Sequence, residues 1–491
     1  MDLAIAFRLD GADHSGSTTP PRLAFVGSGG KTTALFQLAR SLLAGSQSTT
    51  SRVLVFPTTH LAVSQLTQAD QHFYIEKPED LASIEQKLPS GVILFTGLDT
   101  GTGRVSGLDA ASQERIFSIA EMEQCPLLVE ADGSRQRPLK APSDFEPVIP
   151  SFINCVVVVA GLSALGKPLA STYVHRPERF SLLSGVALGT PITSQALVEV
   201  LLHPQGSLKN IPPGIRRIVL FNQADTPELQ AMGQSLARQV LPVYDAAVIA
   251  SLNHLGSSHL DQQDQPCIRD KMPSIGNGQD LNLQVSSLHH RSSTIFAVHE
   301  PVAGVILAAG GSRRMGEPKQ LLLWHGIPLI RHVVATTLRA GLTTVVVVTG
   351  ANGERIQAAL EGLPVIMQDN PFWEAGLSTS LKAGLQAISA SIGSVVFMLA
   401  DQPQVPVTLV RGLIERHSVT LAPIIAPLVK GQRANPTLFD RVTFPDLLSI
   451  EGDTGGRTLF SRYPVEWVLW QAESVLLDVD TEEDYQRLLL L

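Results

Sequence analysis

Twice in 491 residues a β-branched run breaks on a glycine-rich loop and continues as an amphipathic stretch. The first copy is RLAFVGSGGKTTALFQLARSL from Arg22, and the second is VAGVILAAGGSRRMGEPKQLLL from Val302. A strand that hands over to a helix through glycines begins a crossover, which commits the chain to a parallel sheet covered by helices. More runs of this kind follow in each half: RVLVFPTT, VILFTG, CPLLVEADG and CVVVVAGL, then TTVVVVTG, PVIMQD and SVVFMLAD. They read as strands buried on both faces, with ligand sites at their carboxyl ends. The expected fold class is α/β, with two doubly wound domains.

The length suits more than one such unit, at about 100–200 residues per domain. Between residues 251 and 300 the chain turns polar, rich in Ser, Gln, Asp and Gly, as a connecting segment does. The expected division is an N-terminal extension over 1–21, a first domain over 22–250, a linker over 251–300 and a second domain over 301–491. A net charge of −8 and a pI near 5.9 supply no general pull toward nucleic acid or an anionic membrane. Neither is expected as a partner, and any bound anion must be held locally. Cys125, Cys155 and Cys267 are scattered, with no Cys-x-x-Cys pair, which disfavours a disulfide framework or a zinc site. The opening MDLAIAFRLDG lacks the basic-then-apolar order of a secretion signal, and no apolar run approaches the about 18 residues of a membrane span. A cytoplasmic location is expected.

In the first loop Gly27, Gly29, Gly30, Lys31, Thr32 and Thr33 lie between strand and helix. Backbone N–H groups at such a helix start can seat a phosphate, with Lys31 adding charge and the Thr32 hydroxyl placed for Mg²⁺. The spacing departs from GxxxxGK[ST], because Phe25 stands where the first glycine belongs. What remains is a GxGGKTT variant P-loop, with a tight packing turn as the plain structural alternative. PLLVEADGS places Glu130 and Asp132 where a carboxylate would meet Mg²⁺ or its water. RIVLFNQAD places Asn222 and Asp225 in an element similar to the N-K-x-D of GTPases, with Gln223 replacing the lysine. ATP or GTP is expected at this site. Both strand ends also have turn readings.

Arg135, Arg137, Lys140, Glu146, Lys167, His175 and Arg176 are not explained by a generic P-loop. Together with the loop, the segments EADGSRxRPLKAP, EPVIP, GxxALGKPL and VHRPE resemble the YqeC family, described as accessory to selenium-dependent molybdenum hydroxylases. The resemblance covers residues 22 to about 250. It implies a nucleotide-dependent accessory role in molybdenum hydroxylase maturation, with an apo-hydroxylase as partner. Taken alone, His175 reads more simply as a loop or helix-start histidine.

The second loop carries different chemistry. After Leu307, the residues Ala308, Ala309, Gly310, Gly311 and Ser312 offer small side chains and open N–H groups, and Arg313, Arg314, Gly316 and Lys319 follow. That is enough positive charge to hold a triphosphate and to stabilise a leaving pyrophosphate. SVVFMLADQPQV ends a buried strand on Asp401, the first choice for Mg²⁺ on the nucleotide phosphates, with a cap of the following turn as the structural alternative. VLLDVDTEEDYQRL adds Asp480, either a second metal ligand or, beside Thr481, the cap of a terminal helix. Asn370, Ser378 and Ser380 precede a helix, and Arg433, Asn435, Asp453 and Arg457 fall in loops. These suit base, ribose or anionic acceptor contacts, although a capped helix start explains the serines almost as well.

The joint pattern LAAGxSxRMGxPKxLLxxxGxPL, with Asp401 and the later loops, resembles the MocA-type molybdenum cofactor cytidylyltransferases, within the MobA-like nucleotidyltransferase superfamily. The resemblance implies a Rossmann-like, GT-A-like nucleotidyltransferase domain after the variant P-loop domain. The reaction it implies moves CMP from CTP to molybdenum-molybdopterin, giving the cytosine dinucleotide cofactor and pyrophosphate. Arg313, Lys319 and Asp401 would be its catalytic residues. The Ala308-Ala309-Gly310 start and Pro318-Lys319 favour CTP, since guanylyl members usually carry Ala-Gly-Gly and Asp-Lys. Ala434 stands where the family usually has glycine. Two other readings stand beside this one: the same fold acting on a sugar or methylerythritol phosphate, and a nucleotide-switched protein that delivers cofactor to a hydroxylase.

Overall fold

The chain builds two sheets one after the other, seen in a computed structural model that describes residues 1–9, 19–45, 50–252, 294–311, 315 and 317–491. The first sheet contains β1 (Arg22–Gly27), β2 (Arg52–Pro57), β3 (Gln71–Tyr74), β4 (Gly91–Thr96), β5 (Leu127–Glu130), β6 (Cys155–Gly161), β7 (Arg216–Asn222), β8 (Ala246–Ser251) and β9 (Thr294–His299). Their order is β9-β8-β7-β6-β1-β5-β2-β4-β3. Every pair runs parallel except β8 with β9. Along β1, Leu23 and Phe25 enter one apolar layer while Ala24 and Val26 enter the other. This two-residue alternation, apolar on both sides, is what a strand covered on both faces requires. Helix α1 (Lys31–Ala44) covers one face through Leu35, Leu38 and Leu42. Helices Ala110–Met122, Ser194–Leu202 and Pro227–Val240 cover the other. From β1 the chain passes to β2, beyond β5 on one side, while β6 and β7 extend the sheet on the other. This reversal opens a crevice at the carboxyl end of β1.

The second sheet contains β10 (Val302–Leu307), β11 (Thr344–Thr349), β12 (Ile366–Asp369), β13 (Ser394–Leu399), β14 (Ile424–Val429), β15 (Gln432–Arg433) and β16 (Thr437–Asp440). The order is β12-β11-β10-β13-β16-β14-β15, with β17 (Val465–Leu469) beside β14. The first four strands are parallel, and β16 runs antiparallel between β13 and β14. Helix α2 (Leu377–Gln386) packs Leu381 and Leu385 on one face, and α3 (Val407–Thr420) packs Leu409, Val410 and Leu413 on the other. The order again reverses at the first strand, between β10 and β13.

The apolar runs read from the sequence are parallel strands, although β3, β8 and β17, which also pair in parallel, were not among them. Of the strands with antiparallel neighbours, β14 carries an apolar run of its own, while β9 and β15 do not. Thr294–His299, at the end of the segment expected to be linker, forms β9, an edge strand only partly covered and so without a long apolar run. Residues 253–293 lie outside the described residues. The N-terminal extension also joins the fold: the turn Leu3–Ala6 packs into the α1 layer. Arg8 reaches Glu300 at 2.7 Å and pairs with Asp440 of β16, which also lies 2.7 Å from His417 of α3. Burial opposes ionising Asp440, but His417 and Arg8 hold its carboxyl below the usual range. Among the described residues no helix is long and apolar enough to cross a membrane.

Candidate functional site

At the first loop the backbone turns through positive φ at Gly27 (92°), Gly29 (93°) and Gly30 (114°). A Cβ on Gly27 would stand 2.3 Å from the Val159 carbonyl oxygen, and one on Gly30 2.4 Å from Asn222 Nδ2. Only glycine lets the loop lie this close to β6 and β7. Lys31 opens α1, and its ammonium folds back to donate to the Gly27 carbonyl at 2.8 Å and to face Asp132 at 3.1 Å. The Thr32 hydroxyl donates to Glu130 at 2.7 Å. Thr33 is buried in the first turn of α1. The two acids at the end of β5 therefore meet the lysine and threonine of the loop.

Asp132 also accepts from the Gly27 amide at 3.0 Å and from Lys140 at 2.7 Å. Lys140 continues to Glu146 at 2.9 Å, and Glu146 to Arg176 at 2.8 Å. The sequence flagged these residues without their connection: a chain of alternating charges backs the glycine loop. Burial works against ionising Glu146, yet Arg176 and Lys140 hold its carboxyl at about 2. Burial pushes Glu130 up, with Lys31 and Thr32 opposing. Asn222 is buried, donating to the Gly29 carbonyl at 2.8 Å and accepting from the Leu252 amide at 2.9 Å, so it braces the loop from behind. Asp225 accepts from Ser251.

At the second loop Leu307 ends β10, and Ala309, Gly310 and Gly311 wall a cleft of about 480 Å³ completed by Met315, Lys319, Trp373, Ser380, Asp453 and Asp480, among others. Ala308 is buried behind it, its amide donating to Val348 at 2.9 Å. Ser312, Arg313, Arg314 and Gly316 lie outside the described residues. Lys319 pairs with Asp401, just beyond β13, and with Asp480 at 2.7 Å. Burial draws Lys319 down, but the two carboxylates outweigh it and raise its pKa, so the ammonium persists. The cap of the terminal helix α4 (Glu482–Leu489) is Thr481, which exchanges hydrogen bonds with Asp484. That leaves the Asp480 carboxylate outside the cap and on the lysine. Beside them, burial and then Asp401 raise Asp478, which accepts from Gln402.

Asn370 is buried, and its amide donates to Thr379 at 2.8 Å and Ser380 at 3.0 Å, so it shapes the turn before α2. Ser378 is also buried, its amide donating to the Gly452 carbonyl at 3.2 Å. Asp453 accepts from the Leu377 amide at 3.2 Å, which joins that turn to the 452–453 loop at the cleft. Arg433 lies over the Phe460 ring at 4.9 Å. Arg433, Asn435 and Arg457 lie outside the cleft lining.

Sequence reasoning missed two residues. Gln320 is buried and donates to the carbonyls of Ala308 at 3.3 Å and Gly310 at 2.9 Å, fixing the loop from below. Its only signal was adjacency to Lys319. The indole of Trp373 would meet a Cβ on Gly311 at 3.0 Å and one on Gly350 at 2.7 Å, so those glycines make room for an aromatic wall. A tryptophan in a turn rich in Asn, Pro and Gly was the available clue.

Asp401 and Asp480 converge on one cation from distant parts of the chain, and their hard oxygens suit Mg²⁺. Among the described residues no three His, Cys, Asp or Glu side chains form a ready cage. Two carboxylates that leave room for substrate phosphates are the usual arrangement for this ion.

Both halves are α/β, and the second is of nucleotidyltransferase class by its MobA-like domain. The family model described as YqeC protein matches residues 23–178, and that of the MobA-like NTP transferase domain matches residues 304–467. The YqeC protein of Escherichia coli (strain K12) is 33% identical over 240 residues, 48% of this chain and 89% of that protein. Nicotine blue oxidoreductase of Paenarthrobacter nicotinovorans is 33% identical over 198 residues, 38% of this chain and 96% of that protein. Molybdenum cofactor guanylyltransferase of Serratia proteamaculans (strain 568) is 36% identical over 142 residues, 29% of this chain and 68% of that protein. The chain belongs to the YqeC family through its first half and to the MobA-like NTP transferase family through its second.

Proposed function

We propose that the second half, residues 301–491, transfers CMP from CTP to molybdenum-molybdopterin, releasing pyrophosphate and forming the cytosine dinucleotide cofactor. The observation that carries this reading is the convergence of Asp401 and Asp480 on Lys319, which lines a cleft walled by Ala309 to Gly311. The backbone amides of this loop position the triphosphate, and Lys319 with Arg313 neutralises it. A phosphate oxygen of the acceptor attacks the α-phosphorus in line, the bond to the β-phosphate oxygen breaks, and pyrophosphate leaves with the charge. The acceptor phosphate is already ionised near neutral pH, so positioning and electrostatics suffice. Asp401 and Asp480 would hold Mg²⁺, which when bound offsets phosphate charge. Ser380 and Asp453 on the opposite wall, with Asn370 and Ser378 supporting them and Arg433, Asn435 and Arg457 beyond, are assigned to the acceptor side.

The first half, residues 22–250, is assigned as a variant P-loop domain that binds ATP or GTP. Gly27, Gly29 and Gly30 would seat the phosphates, and Lys31 would turn from Asp132 toward them. Thr32 with Glu130 or Asp132 would hold Mg²⁺. Asn222 keeps the loop in shape, and Asp225 stands at the base side. Its role is accessory to the maturation of a molybdenum hydroxylase, the partner to which the finished cofactor passes.

The test is pyrophosphate release by the full chain with Mg²⁺ and molybdenum-loaded molybdopterin, comparing CTP, GTP and ATP. CTP-selective release with the cytosine dinucleotide as product supports the assignment. GTP-selective release would assign the guanylyl reaction instead. No release with an acceptor proven competent would remove the transferase reading, and the oxidoreductase name borne by one relative would then direct the next assay.

A further inference from the structure

The turn after β5 carries charge that the nucleotide reading leaves unused. Lys31, Lys140 and Arg176 face the carboxylates of Glu130, Asp132 and Glu146, so they largely cancel. Arg135 and Arg137 do not. Among the described residues their guanidinium groups have neither a hydrogen bond nor an ion pair, and both residues are exposed. They sit on a tight turn in which the Arg137 amide donates to the Ser134 carbonyl at 3.1 Å, with Arg135 (φ 50°) and Gln136 (φ 59°) both left-handed. Such turns favour glycine and asparagine, and a longer side chain there is strained.

The turn is pinned against the glycine loop. The Ser28 hydroxyl donates to the Arg137 carbonyl, the Gly161 amide to the Pro138 carbonyl at 2.9 Å, and Lys140 to the Gly133 carbonyl at 2.7 Å. Beside it, Leu139–Lys140 pairs in parallel with Val174–His175, which sets His175 opposite Lys140. Burial, and then Arg176, Lys140 and Arg135, hold the His175 imidazole down at about 4. At neutral pH the ring is therefore an uncharged hydrogen-bonding group inside a positive field. Two unpaired guanidiniums on a turn whose backbone is pinned at the edge of a glycine loop are suited to a phosphate-type oxyanion, which such groups can bind bidentately.

We propose that Arg135, Arg137 and His175 form a subsite for a phosphate-type oxyanion beside the first glycine loop. It takes either the terminal phosphate of the nucleotide in that loop or the phosphate of a second substrate. The proposal extends the nucleotide reading of this loop and, in its first form, rests on it.

The test uses the full chain, its Arg135→Ala/Arg137→Ala variant and its Lys31→Ala variant, titrated calorimetrically with ATP, GTP, ADP, GDP and inorganic phosphate in the presence of Mg²⁺. The two arginines support no other contact, so the double variant should keep the wild-type melting temperature. If the subsite reads the terminal phosphate, the double variant loses at least tenfold in triphosphate affinity while diphosphate affinity is unchanged. If it serves a second substrate, nucleotide affinities hold, and inorganic phosphate binding to the diphosphate-loaded chain falls at least tenfold. Unchanged affinity of the double variant for every probe overturns the proposal. A Lys31→Ala variant that binds nucleotide like the wild type would instead overturn the P-loop reading, and phosphate titration of wild type against the double variant then decides the subsite alone.

Discussion

The two glycine loops use one device and are braced in opposite ways. In the first, the lysine opens the helix after the loop, and its ammonium returns four residues to the Gly27 carbonyl. Its acidic partner lies just beyond β5, next to β1, and a partly buried chain of charges through Lys140, Glu146 and Arg176 locks the arrangement from behind. In the second, the lysine follows the loop, and its partners lie 82 and 161 residues further on, at the end of β13 and just before α4. The first site is a tightly packed loop with a local clamp, and the second is an open cleft whose clamp joins distant parts of the chain. Removing one partner should therefore show mainly as lost structure at the first site and as lost chemistry at the second.

The strongest attempt to break this contrast is Asp401→Ala. It removes the nearer carboxylate from Lys319, and turnover measured as pyrophosphate release should fall roughly 10²–10³-fold with the melting temperature little changed. Gly27→Ala comes next: a Cβ 2.3 Å from the Val159 carbonyl oxygen, on a residue at φ 92°, should cost the first half about 2–4 kcal/mol by denaturant unfolding. A variant of native stability would show that the loop is not tightly packed. Asp480→Asn keeps the shape but removes the more exposed charge of the clamp, and turnover should drop about tenfold, one charged interaction being worth about 1.5–3 kcal/mol at most. The smallest effect is expected for Glu146→Gln. The Glu146 carboxyl takes its proton at about 2 in the folded chain against an ordinary 4.5. Its contribution is thus complete above 4.5 and fades as pH falls toward 2. The variant should be slightly less stable at neutral pH and lose less stability than wild type over that acid window, read by melting temperature against pH.

Much of this was legible in the residues. Continuous apolar runs ending in Gly, Asp or Thr marked the parallel strands, since a strand covered on both faces has no polar side to show. Lys31, Thr32, Glu130 and Asp132 were placed together because adjacent strands of a doubly wound sheet bring their carboxyl ends together. Lys319 and Asp401 were read into one site, but their direct pairing was not. The antiparallel strands were less visible: β9 is an edge strand with one end exposed, and β15 is two exposed residues. Gln320 and Trp373 escaped because their work is to hold neighbouring backbone, which leaves no mark on spacing. Asn222 and Asn370 carried the right residue type for ligand contacts, yet both spend their amides inside the protein.

What the sequence by itself determined is the class of each half and the order of events along it: strand, glycine loop, helix, then a carboxylate at a later strand end. These depend on periodicity and on residues within a few positions of one another. Only the tertiary structure decided which of two adjacent residues, Asp480 or Thr481, caps the last helix and which closes on Lys319. It alone also joined Asp132, Lys140, Glu146 and Arg176 into one chain of charges and left Arg135 and Arg137 outside it. The physical reason is common to all three: an ion pair costs desolvation and gains Coulomb energy only at short range. Partners are therefore chosen by distances that the packing of distant segments sets, and no local pattern encodes them.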